Sequence, residues 1–215
     1  MVLATLQLVV GVCASVVTMA QMFTGVYMCR TIYQKKSTKN IDALPFIAGF
    51  VISALILQQA RLMGDFAMQF VNLFGLILNC GYLTFYHVYS SEENRKKMMK
   101  YLMKAIVFLT LTVGYSLMES REHVETRYGM IVTCVIIFMT AFPLTELPRV
   151  LRTKSTEGLP FPMILSGFFV SILWLLYGLL IWSKILIIQN GITTSLCSFQ
   201  LFLFYIFPDK PVKTE

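Results

Sequence analysis

The sequence predicts an all-α polytopic membrane protein: seven transmembrane helices, arranged as two parallel three-helix repeats joined by a linker helix. Three observations predict it. The first is composition. Of 215 residues, 57% are hydrophobic and only 13% charged, and mean hydropathy is +0.71. A soluble chain of this length leaves too much surface exposed to hide so many apolar side chains. The second is seven apolar runs, each long enough to cross a bilayer. The third is an internal repeat at a nearly fixed offset.

A helix needs about 20 apolar residues to cross roughly 30 Å of hydrocarbon. The runs lie near Leu6–Met28, Leu44–Leu62, Phe66–Tyr89, Tyr101–Met118, Tyr128–Leu147, Phe161–Trp182 and Ile185–Phe207. A transmembrane barrel would instead show alternating segments of about ten residues. The first run has no preceding Lys or Arg and exceeds the apolar core of a signal peptide, so it is read as a retained helix.

The net charge of +7 would point to nucleic acid in a soluble chain. Here it points to basic loops on the cytoplasmic side. Arg30, Lys35, Lys36 and Lys39 follow the first run, and Arg95, Lys96, Lys97, Lys100 and Lys104 follow the third. Arg149, Arg152 and Lys154 follow the fifth, and Lys210 and Lys213 follow the seventh. Arg61, Arg121, Arg127 and Lys184 fall on the other side, so the division is fourteen against four. This places the N-terminus outside and the C-terminus in the cytoplasm, which requires an odd number of spans and agrees with seven. Cys13, Cys29, Cys80, Cys134 and Cys197 fall within the spans at no metal-binding spacing, and read as small packing residues. No metal and no cofactor are expected.

The repeat is visible in several places. Lys36-Ser37-Thr38 matches Lys154-Ser155-Thr156 at an offset of 118, as do Gly11 with Gly129 and Asn72 with Asn190. Pro45-Phe46 matches Pro160-Phe161 at 115. Runs one to three therefore correspond to runs five to seven, and run four has no partner. Two units of three spans joined directly would face opposite ways. One extra crossing makes them parallel, an arrangement found in transporters with substrate near the bilayer midplane. The expected division is residues 1–90 for the first repeat, 91–126 for the linker helix with its loops, 127–208 for the second repeat and 209–215 for a cytoplasmic tail.

Lys36-Ser37-Thr38 with Leu44-Pro45-Phe46, and Thr153-Lys154-Ser155-Thr156 with Leu159-Pro160-Phe161 and Trp174-Leu175-Leu176-Tyr177-Gly178, resemble the two MtN3/saliva repeats of the SWEET sugar transporters. The resemblance covers roughly Gly11 to Pro208 and is to an animal member. It implies a seven-helix fold of three plus one plus three, and a sugar uniporter.

Asn72 in run three and Asn190 in run seven are candidate substrate ligands. An amide buried in lipid must find partners, and it both donates and accepts, which suits a sugar hydroxyl. Bonding between helices is the competing reading. Symmetric placement puts the two across a shared axis, and the resemblance matches them to the family's paired pocket asparagines. Trp174 lies mid-span, where tryptophan is less expected than at an interface. Its face suits a sugar's C–H face, and the resemblance matches it to the pocket tryptophan. The resemblance also matches Ser53 to a pocket position, against the alternative that its hydroxyl bonds its own backbone.

Asn72, Gly75, Asn79, Tyr82 and Tyr86 in run three, and Asn190, Thr193, Cys197 and Gln200 in run seven, recur at helical spacing. Each stripe reads as either a translocation path or polar packing between helices. Pro143 lies inside run five, where a bend is expected. Pro45 and Pro160 fit the first turn of a helix. The resemblance implies four hinge prolines near an inner gate; Pro45, Pro143 and Pro160 match three, and the fourth falls on Gln21. That departure predicts a less symmetric inner gate. The family's outer-gate tyrosine and aspartate fall on Ile56 and Ser183, so no outer gate is assigned.

No Asp or Glu lies mid-span, and His87 and His123 lie at a helix end and in a loop. A proton-coupled carrier needs an ionisable group in the membrane. The expectation is facilitated, bidirectional diffusion of a neutral mono- or disaccharide, glucose first, by alternating access. Alternatives are a non-transporting scaffold or receptor, or a PQ-loop-like carrier of another small metabolite. No nucleophile–base pair, metal cluster or phosphate loop supports an enzyme. The expected partners are a sugar, the lipid bilayer and another copy of the chain, with no nucleic acid. The expected address is the plasma membrane, with the Golgi membrane as the alternative.

Overall fold

A computed structural model describes residues 2–39, 41–157 and 159–208. The expected tail 209–215, with Lys210 and Lys213, lies outside them. Among the described residues, seven helical segments are long and apolar enough to cross a membrane. Helix α1 (Val2–Met22) runs to a one-residue interruption at Phe23 and continues as α2 (Thr24–Lys35). The second and third spans are α3 (Leu44–Met63) and α4 (Phe66–Tyr89). The fourth is α5 (Glu92–Met118). The fifth comprises α6 (Val124–Ala141), a 3-10 turn (Phe142–Glu146) and α7 (Leu147–Thr153). The last two are α8 (Phe161–Leu180) and α9 (Lys184–Ile206).

Local sequence explains most boundaries. Asp65 caps α4 by accepting the Met68 N–H at 2.8 Å, and Ser183 caps α9 by accepting the Leu186 N–H at 3.4 Å. Gly64, at φ +68°, closes α3 in the left-handed region that glycine enters without strain. Ser91 caps α5, and Glu92 and Glu93 occupy its first turn, where the helix dipole favours acids. As a result α5 starts nine residues before the apolar run at Tyr101. Arg95, Lys96, Lys97 and Lys100, expected in a loop there, stand on its opening turns instead. Lys96 pairs with Glu92 at 2.7 Å, and Lys97 reaches Asp42 at 3.4 Å.

The described residues form two compact units, one within 15–132 and one within 2–14 with 133–208. In the first, α3 packs on α4 and α5, and α2 packs on α4. Gln58 Nε2 donates to Ser116 Oγ at 3.0 Å, and buried Tyr128 donates to the Leu55 carbonyl at 3.3 Å. Gly49 makes room for the Asn79 amide: a Cβ there would fall 2.9 Å from its Cγ. In the second unit, α8 packs on α9. Gly178 sets their approach, since a Cβ would lie 2.9 Å from Leu186 Cβ and 3.3 Å from the Ile187 nitrogen. Gln7 Nε2 donates to the Leu180 carbonyl at 2.7 Å.

The repeated Lys-Ser-Thr motif has a structural meaning that its spelling does not convey. Lys36 (φ 48°) and Lys154 (φ 52°) both adopt the left-handed conformation that ends a helix. Thr38 and Thr156 are then buried, each 1% exposed. Thr38 Oγ1 donates to Ser90 Oγ at 3.3 Å and Thr156 Oγ1 to the Phe207 carbonyl at 2.8 Å. Each motif thus ties the end of its repeat's first helix to the end of its third. The cysteines differ from expectation: Cys197 is buried, whereas Cys13, Cys80 and Cys134 are exposed. A thiol is apolar enough to face lipid.

Between α5 and α6, Glu119 accepts from Tyr115 Oη at 2.6 Å, Arg127 Nη1 at 2.7 Å and the Ser120 N–H at 2.9 Å. The Tyr115 hydroxyl, then Arg127, then the Ser120 N–H hold its carboxyl at about 2, below the ordinary 4.5. A depressed folded value means that this cluster's stabilisation is complete above 4.5 and is lost as pH falls through about 2.

Two predictions follow from these contacts. Gly178→Leu should destabilise the detergent-solubilised protein by about 1–3 kcal/mol. Gly81→Leu, where a Cβ meets nothing within 4 Å, should not. Equal melting temperatures for the two variants would refute the close approach of α8 and α9. In carbon-13 NMR of labelled glutamate, Glu119 should titrate near 2 and move up toward the ordinary range in Tyr115→Phe. A wild-type midpoint near 4.5 would show that the cluster does not form.

Candidate sugar-binding residues

Asn72 stands on α4 and Asn190 on α9, in different compact units. Each has the same local arrangement. Asn72 Nδ2 donates to the Met68 carbonyl at 2.9 Å, and Asn190 Nδ2 donates to the Leu186 carbonyl at 3.0 Å. The acceptors, like the donors, are 118 residues apart. Donation to the carbonyl four residues back fixes each amide's rotamer and leaves one N–H and the Oδ1 uncommitted among the described residues. Asn72 is buried at 5% exposure, and Asn190 is partly exposed. Each amide is therefore held from behind with a donor and an acceptor free, as a hydroxyl ligand requires.

Trp174, on α8, is 8% exposed, and its ring meets Tyr177 edge to face at 5.5 Å. Tyr177 in turn lies on Gly11, where a Cβ would come within 2.9 Å of Cε2. Trp174 and Asn190 thus belong to one unit and stand on two helices packed together. Ser53, on α3, is 2% exposed. It faces α4 at Gly75, where a Cβ would fall 2.7 Å from Ser53 Oγ and 2.9 Å from Met22 Sδ. Ser53 and Asn72 belong to the other unit, again on a packed helix pair.

The helices carrying these residues are uncharged along most of their length. Asp, Glu, Lys, Arg and His are absent from α3 before Arg61, α4 before His87, α8 throughout and α9 after Lys184. Such surroundings favour a neutral polar ligand over an ion.

The stripe on α4 is buried from Asn72 through Gly75, Asn79 and Tyr82 to Tyr86. Its lower part bonds protein. Asn79 donates to the Gly75 carbonyl at 2.8 Å, Tyr82 to the Met22 carbonyl at 3.2 Å, and Tyr86 to the Ile41 carbonyl at 2.9 Å. On α9, Thr193 donates to the Gln189 carbonyl and Gln200 to the Thr140 carbonyl. Sequence reasoning missed Gln58, Ser116 and Tyr128, whose polar atoms meet across helices. Nothing in their one-dimensional spacing brings α3, α5 and α6 together. It also missed the pair Thr194 and Ser171, joined at 2.9 Å.

The prolines divide by position. Pro45 is in the first turn of α3, and Pro160 precedes the first residue of α8. Pro143 falls inside the fifth span, where the helix tightens to 3-10 geometry, and a second proline, Pro148, lies in the first turn of α7. Gln21 is the next-to-last residue of α1, two residues before the interruption at Phe23. At the repeat offset of 118, Gln21 pairs with Met139, and the position that pairs with Pro143 is Gly25.

Comparison with known proteins agrees with this organisation. The profile of the MtN3_slv family, described as "Sugar efflux transporter for intercellular exchange", matches residues 8–94 and again 126–212. A protein of Drosophila pseudoobscura pseudoobscura, named sugar transporter SWEET1, is 31% identical over 92% of this chain and 88% of its own length. Bidirectional sugar transporter SWEET4 of Arabidopsis thaliana is 26% identical over 91% of this chain and 80% of its own. The fold matches a solved structure of a eukaryotic SWEET transporter with a TM-score of 0.84, covering 96% of this chain and 99% of that one at 24% identity. Seven membrane spans, two copies of the family's repeat and an alignment along nearly the whole chain establish that this protein belongs to the SWEET (MtN3) family, which consists of membrane transporters rather than enzymes.

Proposed function

We propose that the chain carries a neutral mono- or disaccharide, glucose first, down its gradient in either direction by alternating access. Asn72 and Asn190 carry this reading. They are matching amides at matching positions, each pinned to its own helix and each with a free donor and acceptor. A pyranose offers hydroxyls that both give and take hydrogen bonds, and flat C–H faces that suit Trp174. Ser53 adds a hydroxyl next to α4. The uncharged character of α3, α4, α8 and α9 supports uniport, because proton coupling needs a titratable group in the membrane. Pro45, Pro143, Pro160 and the segment around Gln21 are proposed as the points where the spans bend. We assign the ends rich in Lys and Arg to the cytoplasm and the protein to the plasma membrane.

Radiolabelled glucose uptake into proteoliposomes, with and without a pH gradient, tests the whole reading. Uptake should occur, saturate and be indifferent to the gradient. Uptake that follows the proton gradient would replace uniport with coupled transport. No uptake of any sugar alongside uptake of another metabolite would replace the substrate class. Asn72→Ala and Asn190→Ala should each cut flux about tenfold or more at equal amounts of incorporated protein, the cost of losing a polar contact in a dry site. Wild-type flux in both variants would remove the asparagines from the binding role.

A further inference from the structure

The two interruptions in the spans occur at equivalent places. Met22 and Thr140 are 118 residues apart, and so are Gly25 and Pro143, and Tyr82 and Gln200. At each interruption a backbone carbonyl loses its helical donor. In the first repeat, an unbroken α-helix would give the Val26 N–H to the Met22 carbonyl. It goes instead to the Phe23 carbonyl at 2.9 Å. In the second repeat, Pro143 has no N–H to offer Thr140. The 3-10 winding of Phe142–Glu146 pairs each N–H with the carbonyl three residues back, which draws the Leu144 N–H away from Thr140 as well.

In both repeats a side chain from the third helix takes up the freed carbonyl. Tyr82 Oη on α4 donates to Met22 O at 3.2 Å, and Gln200 Nε2 on α9 donates to Thr140 O at 2.7 Å. Both donors are buried, at 7% and 1% exposure. A phenol and a primary amide have little chemistry in common. They share a hydrogen-bond donor on a side chain long enough to reach the neighbouring helix. Gly25 admits the first of these contacts. The Tyr82 ring lies against its bare face, and a Cβ would fall 2.8 Å from Cδ2 and Cζ. A proline at 25 would place its ring in that space. The repeats therefore meet one backbone problem in two ways, with glycine and a phenol in one and proline and an amide in the other.

We infer that Tyr82 and Gln200 are a matched pair of positioning residues for transport, each latching the broken first helix of its repeat by the carbonyl that the break exposes. Each latch fixes the bend while its hydrogen bond is made and lets the bend change when the bond is exchanged. That these bends change during transport rests on the transport reading above; that the donors hold them does not.

Tyr82→Phe and Gln200→Met remove the donors with little change in shape. In reconstituted full-length protein, each should lower the maximal rate of sugar uptake at least about threefold while leaving half-saturation within about twofold, as expected for a lost hydrogen bond away from substrate. Hydrogen-exchange mass spectrometry supplies an arm that needs no sugar. Tyr82→Phe should speed exchange in residues 20–27 and leave 138–147 unchanged, and Gln200→Met should do the reverse. Unchanged exchange in both segments would overturn the latches, whatever the uptake. Faster exchange with wild-type rates would overturn their part in transport. A raised half-saturation at an unchanged maximal rate would make the two residues sugar ligands and overturn the positioning role. If wild-type protein moves no sugar, the transport reading falls, and the exchange data still decide whether the latches exist.

Discussion

Hydrocarbon offers no hydrogen bonds, so every peptide group in a span must be satisfied by the protein itself. An unbroken helix meets that demand at no cost to side chains. An interrupted helix leaves peptide groups that something else must satisfy. This chain interrupts its helix at Phe23 and tightens it to 3-10 winding between Phe142 and Glu146. Each interruption frees a carbonyl, and each freed carbonyl finds a side-chain donor from the third helix of its own repeat. The position of the interruptions thereby calls for a donor at 82 and at 200.

The same constraint accounts for much of the polar stripe on α4. Read along the helix, Asn72, Asn79, Tyr82 and Tyr86 look alike, a row of hydrogen-bonding groups on one face. In three dimensions they divide. Tyr82 and Tyr86 reach carbonyls of other segments, at Met22 and Ile41. Asn72 and Asn79 each give one N–H to the carbonyl four residues back on their own helix. The repeat points to the same division. Asn72 and Asn190 are identical, and each bonds the carbonyl four residues back in the same way. Tyr82 and Gln200 differ, because a carbonyl asks only for a donor at the right distance.

Electrostatics separates the core of the spans from their ends. The helices that carry the asparagines, the serine and the tryptophan are uncharged through their middles, where a lone charge would be costly. Charged groups gather at the ends and are matched locally. Glu92 holds Lys96, Asp42 receives Lys97, and Glu119 gathers Tyr115, Ser120 and Arg127. The last cluster joins the linker helix to the start of the second repeat at a point where the backbone turns.

The sequence by itself determined the number of spans, the parallel repeats and the family, because lipid demands long apolar runs and a repeat leaves its offset in the residues. It also marked Pro143 as a break in helical hydrogen bonding, since proline removes a donor wherever it stands. It did not reveal that the Lys-Ser-Thr motif ends a helix in the left-handed conformation, nor that Arg95 to Lys100 stand on a helix rather than in a loop. Capping by Ser91 outweighed the break in hydropathy there. The interruption at Phe23 has no proline to announce it. Tertiary structure alone decided which polar residues are free and which are engaged, since a donor on one helix and a carbonyl sixty residues away meet only when the chain packs. Spacing along a helix records the face a residue occupies; its partner depends on what packs against that face.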